Sequence, residues 1–204
     1  MPASGFISET TAIIKRSRFI TTLARTDDET EARGVIAGVR SAHPGANHYC
    51  SAFVLEDGGG RSSRSSDDGE PGGTAGVPML NALVGADLVN VTAVVARFFG
   101  GVKLGAGGLI RAYGGCVADA IKGLPRVSLQ SRTIWTLDLP HGEVGRVQEE
   151  LLRGGGTLMD MIYQDAGVHL VFTFPTDPKG IIARATHGGC IPLPERVEMV
   201  DVPI

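Results

Sequence analysis

Residues Val91–Phe99 read Val-Thr-Ala-Val-Val-Ala-Arg-Phe-Phe, an almost unbroken run of apolar and β-branched side chains. The run is too short for a typical helix and does not alternate, so it predicts a strand covered on both faces at the centre of a sheet. Such a strand demands a layer above and a layer below it. The segment from Gly100 to Gly108 then holds five glycines, which predicts a tight turn. Leu109–Leu124 follows as a small-residue helix, stopped by Gly123 and Pro125.

Elements before that strand supply the rest of a first domain. Thr10–Arg25 carries Thr11, Ile13, Phe19, Ile20 and Thr22, and predicts two strands or one bent strand broken near Arg16–Ser17. Asp27 or Asp28 caps a helix running to about Arg40, with Ala32, Val35, Ile36 and Val39 at helical spacing and His43-Pro44-Gly45 as its stop. His48–Glu56 alternates as a strand, Asp57–Gly73 is polar enough to predict a loop, and Thr74–Val84 predicts a helix with Pro78 in its first turns.

From Ser131 a different pattern starts. Strand Thr133–Leu139, helix Gly142–Arg153, strands Thr157–Gln164 and Val168–Phe174, helix Pro178–Thr186 and strand Arg196–Val202 give the order βαββαβ. That is the split-βαβ, ferredoxin-like arrangement, four strands with two helices on one face. The fold class is therefore α+β with two α/β sandwich domains, 1–127 and 131–204, joined near Arg126–Ser131.

Totals narrow the function. The 204 residues are 43% hydrophobic and 20% charged, ordinary for a globular chain, and no apolar run approaches the roughly 20 residues of a membrane helix. No basic stretch followed by an apolar core opens the sequence, which predicts residence in the cytoplasm. Cys50, Cys116 and Cys190 are odd in number and far apart, which argues for reduced thiols. A net charge of −3 offers no global attraction to nucleic acid, so any such binding has to be local.

Three segments can carry chemistry. In Ala46–Ala52, His48 and Cys50 share one face of a strand. Zinc needs about four ligands, and only the remote His187 and Cys190 would add to them; a half-buried histidine and a core cysteine are the favoured account of the pair. In Ser66–Gly76, Asp67, Asp68 and Glu70 can hold a hard cation, act as a general base, or cap the helix that follows. In Arg97–Gly114, a buried strand runs into a glycine turn and a helix start, where free N–H groups and the positive helix end suit an anion.

That third segment fits neither the Gly-Lys-Ser/Thr nucleotide loop nor the dinucleotide pattern. Between Arg97 and Arg132 the bases Arg97, Lys103, Arg111, Lys122, Arg126 and Arg132 meet only Asp119 as an acid. With Phe98, Phe99 and Tyr113 they form either a phosphate-and-stacking surface for RNA or a solvated face over core aromatics. The candidate anion or RNA site is Arg97, Lys103, Gly105, Gly107, Gly108, Arg111 and Tyr113. No nucleophile triad is readable from spacing.

Ser66–Gly76 and Arg97–Gly114 resemble the two signature stretches of the IMPACT/YigZ family, and Ala46–Ala52 resembles its shorter third one. The resemblance is strong over Ser17–Leu124 and one of pattern only from Ser131 onward. It implies a first domain similar to the second domain of a small-subunit ribosomal protein and a second similar to a ferredoxin-like domain of elongation factor G. It further implies regulation of translation, with RNA, the ribosome or a translation factor as partner. No cofactor, resident metal, membrane association or DNA sequence recognition is expected. Eukaryotic members work through a stress-kinase pathway with an additional N-terminal domain that is not seen before these motifs, so that partner does not carry over. Phe98 stands where the family commonly has tyrosine, so a hydroxyl there is dispensable. No catalytic residue transfers; the alternative reading is a small metal-assisted hydrolase or phosphate-ligand enzyme built on Asp67, Asp68 and Glu70.

Overall fold

The computed structural model describes all 204 residues and divides into two compact units, Met1–Ser128 with Pro203–Ile204, and Leu129–Val202. In the first, strands β1 (Ile7–Ile14), β2 (Ser17–Arg25), β5 (Val91–Phe98), β3 (His48–Asp57) and β4 (Gly60–Ser66) lie side by side in that order, every neighbour antiparallel. The apolar run is thus the middle strand, as its composition requires. Val91, Ala93 and Val95 face a core built with helices α2 (Gly76–Gly85) and α3 (Ala106–Ile121), among them Met79, Leu83, Tyr113 and Val117. Val94 and Ala96 point the other way and pack with Ile20, Val39 and Ile36 beneath helix α1 (Glu29–Ala42).

Local chemistry explains the ends of these elements. Asp28 caps α1 by accepting the Glu31 N–H at 2.8 Å, and Glu31 reaches back to the Asp27 N–H, a reciprocal cap. The bend expected near Arg16 is a two-residue hairpin in which Lys15 and Arg16 both take positive φ, 45° and 68°, as such turns require. Gly100 follows β5 directly under this hairpin. A Cβ at Gly100 would stand 2.0 Å from the Arg16 carbonyl oxygen, so no other residue fits there.

Strand β4 occupies residues expected to be loop. Its sequence, Gly-Arg-Ser-Ser-Arg-Ser-Ser, is exposed at every position, so it has no apolar face to betray it. Backbone pairing with Ser51–Asp57 holds it, and polar, charged side chains suit an edge strand. Helix α2 starts at Gly76, later than Thr74, because the preceding turn is used to wrap Asp67.

The second unit is built from all but the first two residues of β6 (Val127–Leu139), α4 (Val144–Arg153), β7 (Thr157–Gln164), β8 (Gly167–Thr173), α5 (Lys179–Ala185) and all but the last residue of β9 (Leu193–Pro203), with strand order β7-β8-β6-β9. That is the strand order of the split-βαβ arrangement. Its core joins Leu137, Leu170 and Phe172 of the sheet to Val147, Leu151 and Ile182 of the helices. Strand β6 begins at Val127, six residues before the expected Thr133, so the segment Arg126–Ser131 is largely strand. Val127-Ser128-Leu129-Gln130 alternates apolar and polar, a period-two signal that the preceding proline masks.

Two glycines of the first unit should respond to alanine with opposite signs. Gly100→Ala drives a methyl into the Arg16 backbone and is expected to cost more than about 3 kcal/mol. Gly115, inside α3 with open space where its Cβ would be, should gain about 0.5–1 kcal/mol as alanine. Urea unfolding of both variants checks this; equal effects would contradict the close approach.

Candidate functional site

Sheet register places one row of side chains, Phe19, Arg97 and His48, at the end of the face that α2 and α3 cover. Arg97 is 5% exposed, and a guanidinium in such a position needs a counter-charge. Glu70, 8% exposed, supplies it from the loop between β4 and α2: Arg97 Nη1 donates to Glu70 Oε1 at 2.5 Å. The Tyr113 hydroxyl donates to the same oxygen at 2.7 Å from the middle of α3. Arg97 Nη2 reaches Ser17 Oγ, and the guanidinium lies over the rings of Phe19 and Phe99. Its Nε is buried and has no partner.

The other two acids of the loop have separate employment. Asp67 accepts the N–H groups of Gly73, Ala75 and Gly76 at 2.8–2.9 Å, which caps the start of α2. Burial pushes its carboxyl upward, but these three donors outweigh that and hold it below the usual carboxylate range. Asp68 pairs with Arg40 through one oxygen and accepts the Tyr49 N–H at 2.7 Å through the other. The three carboxylates therefore do not converge, and no group of three or more His, Cys, Asp or Glu side chains is placed to hold a metal ion. The metal-ligand form of the hydrolase reading needs that convergence.

His48 and Cys50 share a face, as the strand period requires, and both are spent on the acidic loop. The Asp68 carbonyl can only accept, so His48 Nδ1, 2.9 Å away, carries the proton. Cys50 Sγ donates to the Asp67 carbonyl. Burial is the main cause, with Glu70, Asp68 and Asp67 adding to it and Tyr113 opposing it, and together they push the Cys50 thiol up to about 12. A thiol so placed is no nucleophile at neutral pH. Tyr113 is pushed upward too, by burial and then by Cys50; it stays a hydrogen-bond donor.

Above the Arg97–Glu70 pair opens a cavity of about 400 Å³ lined by His48, Glu70, Pro71, Arg97, Phe99 and Lys103, with Leu104, Gly105, Ala106 and Leu109 from the turn and the start of α3. Gly105 is the helix N-cap at φ 73° and offers no side chain to the first N–H groups. The first intrahelical bond runs from the Leu109 N–H to the Gly105 carbonyl.

The expected anion site is therefore divided. Lys103 and Gly105 line the cavity with Arg97, whereas Arg111 lines a neighbouring groove with Ile14, Lys15, Leu104 and Gly108. Gly107 has only the Arg111 side chain near its Cβ position. Two residues expected to touch RNA are corrected: Tyr113 is fully buried and Arg97 nearly so, so neither forms a stacking or phosphate surface. Of the neighbouring aromatics, Phe98 lies under Arg18 and packs toward α1, while Phe99 is 46% exposed at the cavity. Two cations that local spacing did not point to, Lys15 and Arg16, are delivered to the turn by the β1–β2 hairpin. Lys15, Arg16, Lys103 and Arg111 are all exposed or half-exposed, and none has an ion-pair partner. In the second unit, Ile162, Val197 and Met199 are exposed apolar residues on sheet strands.

Fold and site together define a class: a two-unit α+β protein whose first unit buries an arginine–glutamate pair below a cavity at a helix N-terminus. Residues 15–121 match the Impact N-terminal domain family. An IMPACT family member of Haemophilus influenzae is 41% identical over 163 residues, covering 78% of this chain and 77% of that protein. The IMPACT family member YigZ of Escherichia coli is 42% identical over 154 residues, 74% of each chain. This chain belongs to the IMPACT family. A crystal structure titled only as that of a hypothetical protein matches at TM-score 0.58 with 35% identity, covering 96% of both chains.

The buried pair gives a mutational prediction. Glu70→Ala strands the Arg97 charge in the interior and is expected to cost roughly 3–5 kcal/mol in urea unfolding at neutral pH; a loss below about 1 kcal/mol would mean the pair is not closed in solution. Asp67 gives a pH prediction. Its folded-state carboxyl lies below the unfolded value of about 3.9, so its contribution is complete above that pH and fades as pH falls through the lowered value. Asp67→Asn should flatten the acid limb of the stability curve, and an unaltered limb would assign acid sensitivity to other groups.

Proposed function

We propose that this chain is a cytoplasmic regulatory protein of translation that binds an RNA strand along the surface around the start of α3. The observation that supports this reading best is the cluster of Lys15, Arg16, Lys103 and Arg111. Most arginines elsewhere in the chain are paired with carboxylates, as Arg33, Arg40, Arg153 and Arg196 are. These four cations have no carboxylate partner in a chain of net charge −3, Lys15 and Arg111 line one groove, and the first N–H groups of α3 carry no side-chain cap. A local positive surface on an acidic protein favours a polyanion at that spot alone. Membership of the IMPACT family, which implies a role in translation, makes RNA, free or within the ribosome, the fitting polyanion.

The test is titration of a labelled single-stranded RNA by anisotropy across a salt series. Binding should weaken with salt, and Arg111→Ala or the pair Lys15→Ala with Arg16→Ala should each reduce the log–log slope by roughly 0.7 for every phosphate no longer neutralised. No binding at low salt, or slopes indifferent to these substitutions, would overturn the RNA reading.

A further inference from the structure

The five-stranded sheet of the first unit ends in two unlike edges. At β4 the side chains are serines with Arg61 and Arg64, exposed throughout, and such a charged edge resists pairing with another chain. At the other edge β1 reads Ile-Ser-Glu-Thr-Thr-Ala-Ile-Ile, with a single charge. That charge, Glu9, lies 2.6 Å from His43. Ile7 and Ile13 are 67% and 75% exposed. A long, β-branched edge with so little charge is a template for one more strand.

The backbone fixes which groups this edge offers. The two-residue turn Lys15–Arg16 closes on the Ile14–Ser17 pair, and the Arg25 N–H donates to the Phe6 carbonyl at the far end. Hydrogen-bonded pairs alternate along an antiparallel ladder, so the even-numbered residues of β1 bond to β2, whereas Ile7, Glu9, Thr11 and Ile13 turn both N–H and C=O outward. No other segment of the chain bonds to those outward groups. The side chains of the same four residues stand on the α1 face, since Thr11 lies opposite Ile20 of the core beneath α1, while Ala12 and Ile14 pack on the other face. Between β1 and α1 runs a groove of about 400 Å³ lined by Ile7, Glu9, Val35, Gly34, Gly38 and Ala42. A Cβ at Gly34 or Gly38 would meet nothing within 4 Å, so the helix leaves room beside the edge for a branched side chain.

We infer that β1 pairs antiparallel with β1 of a second copy of this chain across a two-fold axis, continuing the sheet from one copy into the other. The strand's own sequence dictates the register. For the outward groups to meet, odd-numbered residues must stand opposite odd-numbered ones. Centring on Thr10 sets Ile7 against the partner's Ile13 and Glu9 against the partner's Thr11, and every outward N–H and C=O is then met. Centring on Glu9 would oppose two carboxylates, which is unfavourable, and would leave Ile13 unpaired. Centring on Thr11 would set Glu9 against an isoleucine and leave Ile7 unpaired. Only the Thr10 register satisfies the backbone, covers both exposed isoleucines of each copy and places each carboxylate beside a threonine hydroxyl. The partner's Ile13 then stands beside Ile7, at the groove where the glycines of α1 leave it room. An interface of one strand and one groove belongs to the small class whose complexes form and part reversibly. This pairing goes beyond the RNA reading and does not depend on it.

The experiment is analytical ultracentrifugation of the full chain over a hundredfold range of concentration, which should show a reversible monomer–dimer equilibrium. Ile13→Lys breaks both isoleucine pairs of the dimer and should raise the dissociation constant by about tenfold or more. Gly38→Leu fills the groove from a helix position with open space and should weaken the dimer as well. Its melting temperature should be kept or raised, because leucine is a better helix former than glycine. Register is read by cross-linking in a Cys190→Ser background, since Cys50 and Cys116 are buried. Thr10 lies on the axis in a non-hydrogen-bonded pair, where facing Cα atoms stand about 4.5 Å apart, within the span a disulfide bridges. Thr10→Cys should therefore give a covalent dimer on mild oxidation, and Glu9→Cys and Thr11→Cys should not. A chain that stays monomeric across the whole range would overturn the inference. So would a dimer indifferent to both Ile13→Lys and Gly38→Leu in folded protein, or cross-linking through Glu9→Cys or Thr11→Cys in preference to Thr10→Cys.

Discussion

Everything at the functional end of the first unit hangs on the contact between Arg97 and Glu70. The arginine is carried to the end of the central strand by a register that leaves it no exit to solvent, so its charge has to be met inside. Glu70 meets it only if the polar loop after β4 folds back over the sheet, and that folding sets Asp67 on the start of α2 and Asp68 over His48 and Arg40. Tyr113 then joins α3 to the same oxygen. A buried ion pair of this kind contributes little net stability over an apolar replacement, but breaking one side is costly. Its consequence here is positional: one oxygen ties together a strand, a loop and a helix.

The glycines of the turn do two different jobs. Gly100 is required by crowding, because the β1–β2 hairpin lies directly on it. Gly105 is required by backbone conformation, because the chain enters α3 at positive φ and leaves the helix end uncapped. Crowding at Gly100 also has an electrostatic result: it seats the hairpin on the turn by the Arg16 backbone and leaves Lys15 in one groove with Arg111. An acidic chain thereby acquires unpaired cations at this end of the first unit. Global charge and local charge therefore point in opposite directions.

The acids that read as a cation site or a general base are consumed by structure. Asp67 is saturated by three backbone donors, Asp68 is shared between an arginine and a strand N–H, and Glu70 neutralises Arg97. Cys50 is held as a thiol by burial.

Periodicity alone determined the central strand at Val91–Phe99, the helix capped at Asp28 and the βαββαβ order after Ser131, since each is written in contiguous residues by burial on one or both faces. The signature stretches likewise carried the family without any coordinates. Strand β4 escaped because an edge strand held by its backbone needs no apolar side chains, and β6 was shortened because a proline hid its first alternating residues. The partners inside the site were beyond reach for a different reason. Arg97 meets Glu70, Tyr113 meets Glu70 and Arg97 meets Ser17 across separations of 27, 43 and 80 residues. Which residues are charged or aromatic is a property of the chain, but which of them sink into the core, pair with one another or stay open to a ligand is settled by strand register and by the close approach of segments distant in sequence.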